Sequence, residues 1–239
     1  MSNSLKLLEW DTEFFGYTIA KVIAENLDPA KMAELVEEAD SVGTRLLYLF
    51  TDPADELSNG SAIKIGAKLV DQKVTFHIKI AEEFSAITDE HIESFDLLVP
   101  TEKLIDLAIQ SGLYSRYKTD KHFQNGEFEK LYSKWIENSV NKKIADHTLV
   151  YKLDEKILGF VTLKIKNKCG EIGLIAVDET SRGRSIGKKL VHAVVDTLKR
   201  QRIKELDVAT QINNEDACNF YKKIGFTASK TECIYHIWL

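Results

Sequence analysis

Between Gly170 and Phe226 the chain holds the residue types that an anion site and a proton donor require. An apolar run, Glu171–Val177, leads through Asp178–Ser181 into Arg182-Gly183-Arg184-Ser185-Ile186-Gly187-Lys188, which opens a long amphipathic segment. The first N–H groups of a helix have no intrahelical acceptor, and the helix dipole adds partial positive charge there. A strand, a glycine-bearing turn and a helix in that order therefore form a receptor for phosphate. Arg182 and Arg184 add charge, while Gly183 and Gly187 let a ligand approach the backbone closely. An ordinary strand–helix connection with its arginines in solvent is the competing reading, and the order of the elements argues against it.

Further along stands Asn214-Glu-Asp-Ala217, then Phe220-Tyr221, then Ile224-Gly225-Phe226. The tyrosine supplies an acid within the same unit. Tyr221 also shares a helical face with Ala217, Phe220 and Ile224, so a place in the core stays open. Asn214 fits a helix N-cap as well as a ligand contact. Glu171 fits either a general base or a surface residue at a strand end. The six histidines show no metal spacing and the three cysteines form no CxxC pair, so no metal is expected.

Arg182-x-x-Ser185-x-Gly187 and Asn214-x-x-Ala217-x-x-x-Tyr221-x-x-x-Gly225-Phe226 together resemble the Gcn5-related N-acetyltransferase (GNAT) family over roughly residues 96–239. The resemblance implies acetyl-CoA as acyl donor. Ile175, Ala176 and Val177 would pair with its pantetheine arm. Arg182, Gly183, Arg184, Ser185, Ile186, Gly187 and Lys188 would cradle its diphosphate, and Asn214 would contact it. Tyr221 would protonate the leaving sulfur, a backbone N–H near Val177 would stabilise the oxyanion, and Glu171 or water would take the amine proton. Ser185 stands where the family carries a glycine.

Shorter clusters narrow the resemblance: Leu8–Asp11, Phe14-Phe15-Gly16, Ser115–Lys118, Tyr132–Asn138, Ala209-Thr210-Gln211 and Tyr235–Trp238. They are similar to the N-acetyltransferases of dTDP-linked 4-amino-4,6-dideoxygalactose in surface-polysaccharide synthesis. That likeness implies a truncated GNAT-like half over 1–94 beside a catalytic GNAT half over 95–239. It also implies a nucleotide-linked amino sugar as substrate, with Ser115, Arg116 and Tyr117 in the acceptor loop. Arg116 would face phosphate, or else solvent, and Trp135 would be a sugar platform or core packing. The rival functions are transfer to a peptide N-terminus, amino acid or polyamine, and a CoA-binding module without turnover.

The elements that must position these residues follow from periodicity. Strands are expected over Leu5–Trp10, Tyr17–Ala24, Arg45–Phe50 and Lys68–Ile80, with helices over Pro29–Ser41 and Ser61–Gly66. Ala81–Ser94 reads as an acidic linker. The second half reads as a strand at Phe95–Val99, helices at 101–112 and 126–140, and strands at 147–153, 157–166 and 170–177. A helix near 186–201, a strand at 204–210, a helix at 214–224 and a strand at 232–238 follow. This alternation predicts an α/β or α+β fold with a mixed central sheet flanked by helices.

The chain has 239 residues, 44% of them hydrophobic, enough for a sizeable core without disulfides. Residues 1–95 carry 8 Lys and Arg against 18 Asp and Glu, and residues 96–239 carry 24 against 19. The more basic second half suits an anionic ligand but falls short of a nucleic-acid surface. No apolar run reaches membrane-spanning length, and the scattered cysteines favour a reducing compartment. A cytoplasmic enzyme with no nucleic-acid or membrane partner is expected, and a homodimer stays open.

Overall fold

The computed structural model describes residues 4–81 and 89–239. The chain divides into two compact units. One runs to Val74 and takes back Gln211–Asn213 and Lys230–Leu239. The other holds Thr75–Thr210 and Asn214–Ser229.

In the first unit lie β1 (Leu5–Leu7), α1 (Glu9–Phe15), β2 (Ile19–Val22), α2 (Pro29–Ser41), β3 (Leu46–Thr51) and α3 (Glu56–Lys64). It also holds the start of β4 (Lys68–Lys79) and the end of the closing strand at Thr227–Trp238. β2 and β3 are parallel, while β1 and the closing strand pair antiparallel at either side. Helix α2 starts where expected because Asp28 caps it, accepting the Lys31 N–H at 2.8 Å, and Pro29 supplies a preset φ at the first position. Its Met32, Leu35 and Ala39 fall on one stripe and are buried with Leu47, Leu49, Tyr235 and Ile237.

The second unit continues β4 and adds β5 (Ile92–Ser94), α4 (Glu102–Ser111), α5 (Arg116–Thr119), α6 (Glu127–Val140), β6 (His147–Leu153), β7 (Lys156–Lys166) and β8 (Cys169–Val177). A 3₁₀ turn (Glu179–Ser181) leads to α7 (Ile186–Arg200), β9 (Glu205–Gln211) and α8 (Glu215–Lys223). The closing strand, Thr227–Trp238, is β10. Strand order here is β4-β9-β8-β7-β6-β5, with β8 and β9 parallel and β5 to β8 antiparallel. Two-residue turns join β6 to β7 and β7 to β8. Asp154 and Glu155, then Asn167 and Lys168, all have φ between 47° and 63°, the geometry that matches strand twist. Helices α4 and α7 pack on β7 and β8, and α7 buries Leu190, Val191, Val194, Val195 and Leu198. The expected mixed sheet with flanking helices is present.

Three local expectations change. Glu9–Phe15 is helical rather than the end of a strand; Trp10 and Phe14 lie one turn apart and their rings stack at 5.2 Å. Phe95–Val99 is not a strand. Pairing with β6 covers Ile92–Ser94, the Phe95 N–H still reaches the Thr148 carbonyl, and the Leu97-Leu98-Val99 run is exposed. The short helix before Gly66 starts at Glu56, capped by Asp55. The expected linker lies partly outside the described residues. Contacts also divide the chain at Val74 rather than at residue 94, because β10 returns to pair with β3 from Cys233↔Thr51 to Trp238↔Leu46. Among the described residues no helix is long and apolar enough to cross a membrane.

Gly112, the C-cap of α4, owes its identity to close packing. Its φ is −102°, open to any residue, yet a Cβ there would lie 2.1 Å from Tyr132 Cζ. Gly112→Ala is expected to destabilise the protein by about 1–3 kcal/mol, the usual range for overpacking. Urea denaturation checks this, and Tyr132→Leu in the same chain should recover part of the loss.

Candidate active site

The site begins with a fault in the sheet. On β7, Val161 pairs with Ile175 and Leu163 with Ile172, so Thr162 alone faces both Gly173 and Leu174. This is a β-bulge, and bulges bend a strand and increase its twist. The Leu174 N–H donates to Thr162 Oγ1 at 2.8 Å, which satisfies the amide that the bulge withdraws from the ladder. On its other edge β8 is in register with β9 only from Gly170 to Ile172. Past the bulge the two parallel strands part, leaving Ile175, Ala176 and Val177 along an opening of about 700 Å³.

Asp178 ends the strand and shapes the turn that follows. Its N–H donates to the Leu158 carbonyl, and its carboxylate accepts the Thr180 N–H at 3.0 Å, the Thr180 hydroxyl and the ammonium of Lys103 on α4. Lys103 first, and then the Thr180 hydroxyl, bring the Asp178 carboxyl down to about 2. Arg182 follows, its Nε–H donating to the Val177 carbonyl at 3.3 Å. Gly183 has φ +77° with open space where a Cβ would stand. Ser185 takes the left-handed conformation at φ 61°, a region that glycine enters without strain. It makes no side-chain cap, and the first α7 bond is Lys189 N–H to Ser185 carbonyl. The first-turn amides of Ile186, Gly187 and Lys188 thus have no intrahelical acceptor. Gly187 sits against Phe220, whose ring would lie 3.4 Å from an added Cβ.

Helix α8 supplies the third wall. Asn214 Oδ1 accepts the Ala217 N–H at 3.2 Å, so this residue is an N-cap and also lines the opening. Tyr221 is 3% exposed, ringed by Phe76, Phe220 and Phe226 at 5.2–5.7 Å, and lines the same space. Core packing and cavity lining are thus both true of it. Burial, and after it the nearby Cys218, pushes the phenol well above its ordinary range, which keeps its proton in place at neutral pH.

The structure brings together Ile175, Ala176, Val177, Arg182, Gly183, Ser185, Ile186, Gly187, Lys188, Asn214 and Tyr221 around one opening. Arg184 is exposed and outside its lining. Glu171 is exposed too, in register with Asp207 and Lys164 on the paired side of the bulge, and does not line the space. Ser115, Arg116 and Tyr117 form no open acceptor loop. Ser115 and Tyr117 are buried, the Tyr117 ring packs against Phe123 and Trp135, and Arg116 Nη2 donates to the Tyr117 hydroxyl at 2.6 Å. Trp135 belongs to that aromatic cluster and also meets Tyr132. In their place Gln110, Ser111, Leu113 and Tyr114 line the opening at the end of α4. The signal in the sequence was the apolar pair directly after the helix-ending Gly112. Among the described residues no group of three His, Cys, Asp or Glu could hold a metal ion.

Comparison with known proteins agrees with this geometry. The model of the Acetyltransferase (GNAT) family matches residues 104–226, just over half of the chain. The spore coat polysaccharide biosynthesis protein SpsD of Bacillus subtilis is 28% identical over 139 residues, covering 58% of this chain and 47% of that one. N-alpha-acetyltransferase 30 of Saccharomyces cerevisiae is 37% identical over 68 residues, 28% of this chain and 39% of that one. The chain thus spans about half or less of the length of these relatives. A crystal structure of a GCN5-related N-acetyltransferase from Sphaerobacter thermophilus shares the fold at TM-score 0.64 and 13% identity, covering 98% of this chain and 76% of that one.

The Lys103–Asp178 contact yields a signed pH effect. The folded-state value of about 2 lies below the ordinary 3.8, so the contribution to stability is present above about pH 4 and is lost as pH falls toward 2. Asp178→Asn should lower the denaturation midpoint by a constant amount between pH 5 and 7. That difference should shrink below pH 4, as urea titrations at stepped pH will show.

Proposed function

The chain belongs to the GNAT acetyltransferase family, and on that premise we propose that it is an N-acetyltransferase of a nucleotide-linked amino sugar, a dTDP-linked 4-amino-4,6-dideoxyhexose. The observation that carries the catalytic part is the convergence of the amide-rich turn, the parted edge of β8 and the buried Tyr221 on one opening. That opening fits acetyl-CoA: free helix amides, Arg182 and Lys188 suit a diphosphate, open space at Gly183 admits it, and a strand edge without a partner suits an amide-bearing arm. When bound, acetyl-CoA supplies the thioester whose C–S bond gives way as the new C–N bond forms.

The protein's part is positioning and proton handling. The edge of β8 at Ile175–Val177 offers backbone N–H groups to the developing oxyanion. Tyr221 gives its phenolic proton to the departing sulfur and recovers one from solvent. Water takes the proton from the amine, since Glu171 lies outside the opening. The sugar-nucleotide acceptor is supported by the residue clusters outside the generic motifs and by the longer of the two curated matches named above, to a polysaccharide biosynthesis protein. The shorter match favours a second reading, acetylation of a peptide N-terminus. The N-terminal part is taken as a truncated copy of the same fold.

Saturating acetyl-CoA is expected to raise the melting temperature; at about 100 times its Kd the added stability is roughly 2.7 kcal/mol. Tyr221→Phe should retain that shift while losing about 10²–10⁴-fold in kcat. Wild-type turnover by the Phe variant would return Tyr221 to a packing role alone.

Acceptor choice is tested by competing a dTDP-linked 4-amino-4,6-dideoxyhexose, the free amino sugar and a peptide with a free N-terminus at equal concentration. The conjugate should react fastest, because binding at the nucleotide end orients the amine. Preference for the peptide would replace the sugar assignment with the second reading.

A further inference from the structure

We propose that the Gln110 carboxamide binds the acceptor amine, its Oε1 accepting one amine N–H so that the nitrogen lone pair is turned toward the thioester. This rests on the acetyl-transfer reading of the same opening. Gln110 lies in the last turn of α4, and its Oε1 is buried without a hydrogen-bond partner. Buried polar atoms in folded proteins nearly always have partners, so one on a residue that lines a ligand opening points to a group supplied by the ligand.

Among the neighbouring acceptors, Asn214 Oδ1 already takes the Ala217 N–H. Ser111 Oγ gives its proton to the Ala108 carbonyl and keeps its lone pairs, but unlike Gln110 Oε1 it already has a partner. Ser115 Oγ is also buried without a partner, but it does not line the opening. Among the described lining residues Asp216 is the one carboxylate, and it lies in the first turn of α8, not on α4.

The choice of an amide oxygen has a chemical consequence. A carboxylate in this position would favour the ammonium form and hold back the lone pair. A neutral amide oxygen orients the amine without that bias. It also leaves the Gln110 NH₂ group to meet an oxygen elsewhere on the acceptor.

The test compares Gln110→Met with Gln110→Glu, using the best amine found for the wild-type enzyme and the acetyl-CoA thermal shift as a check on folding. Met keeps the length and loses the oxygen, so kcat/KM for the amine should fall about tenfold, near the upper worth of one neutral hydrogen bond, with the thermal shift unchanged. Glu keeps an oxygen, so the KM for the amine should stay near wild type while the rising limb of the pH–rate profile moves to higher pH. Full activity in Gln110→Met would overturn the proposal and assign the residue to packing. If Gln110→Met does not fold, the Glu profile decides: an upward move supports the role and an unmoved profile overturns it. A wild-type protein that acetylates no amine overturns the transferase reading and this inference with it, whereas an active wild type with indifferent variants overturns this inference alone.

Discussion

The site depends on the two residues, Gly173 and Leu174, that face Thr162 alone. A regular β8 would stay in register with β9 past Ile172 and close the sheet. The bulge instead turns the strand away, and a row of backbone groups at Ile175–Val177 meets open space. Such a row is normally avoided because unpaired strand edges recruit partners. Here the adjoining helices confine it to an opening, so a partner must enter from one direction. The Thr162 hydroxyl keeps the distortion from leaving the Leu174 amide unsatisfied. Gly173 fits because an added Cβ would press to 3.1 Å against that hydroxyl.

The bent strand then has to deliver the chain to the start of α7 in the right orientation. Asp178 does this by fixing three directions at once: its amide ties to Leu158 at the start of β7, its carboxylate caps the 3₁₀ turn, and Lys103 links it to α4. The helix whose far end carries Gln110 and Ser111 is therefore coupled through its first turn to the loop that carries Arg182 and Gly183. The anion turn and the opposite wall of the opening share one polar anchor.

Much of this was legible in the residues, because the relevant signals were local. Pro29 marked the start of α2 through its preset φ, a signal that acts within the first turn. The Arg182–Lys188 turn and the Asn214–Tyr221 spacing were legible for the same reason. What sequence reasoning missed was set by distant packing. Phe95–Val99 looks like a strand, but its Leu97, Leu98 and Val99 are exposed. Ser115–Tyr117 looks like a polar loop until Phe123 and Trp135 fold over it. Glu171 sits the right way along its strand, yet a bulge invisible to periodicity separates it from the opening. The partition near Val74 was hidden because it depends on β10 crossing back to β3.

Around the opening, Arg182, Lys188 and the free amides of α7 supply positive charge, Lys223 and Asp216 of α8 add one charge of each sign, and the lining along Ile175, Ala176, Phe220 and Tyr221 is uncharged. A phenol in that lining is held in its neutral form by the same burial that packs its ring, so it keeps a proton that a more solvated tyrosine would yield more readily to base. A carboxylate base deep in this space would meet the same desolvation that keeps Tyr221 protonated, and the one carboxylate among the described lining residues, Asp216, stands in the first turn of α8. The fold therefore favours a division of labour in which the protein supplies the acid and the orientation, and the amine arrives already neutral or loses its proton to water at the mouth.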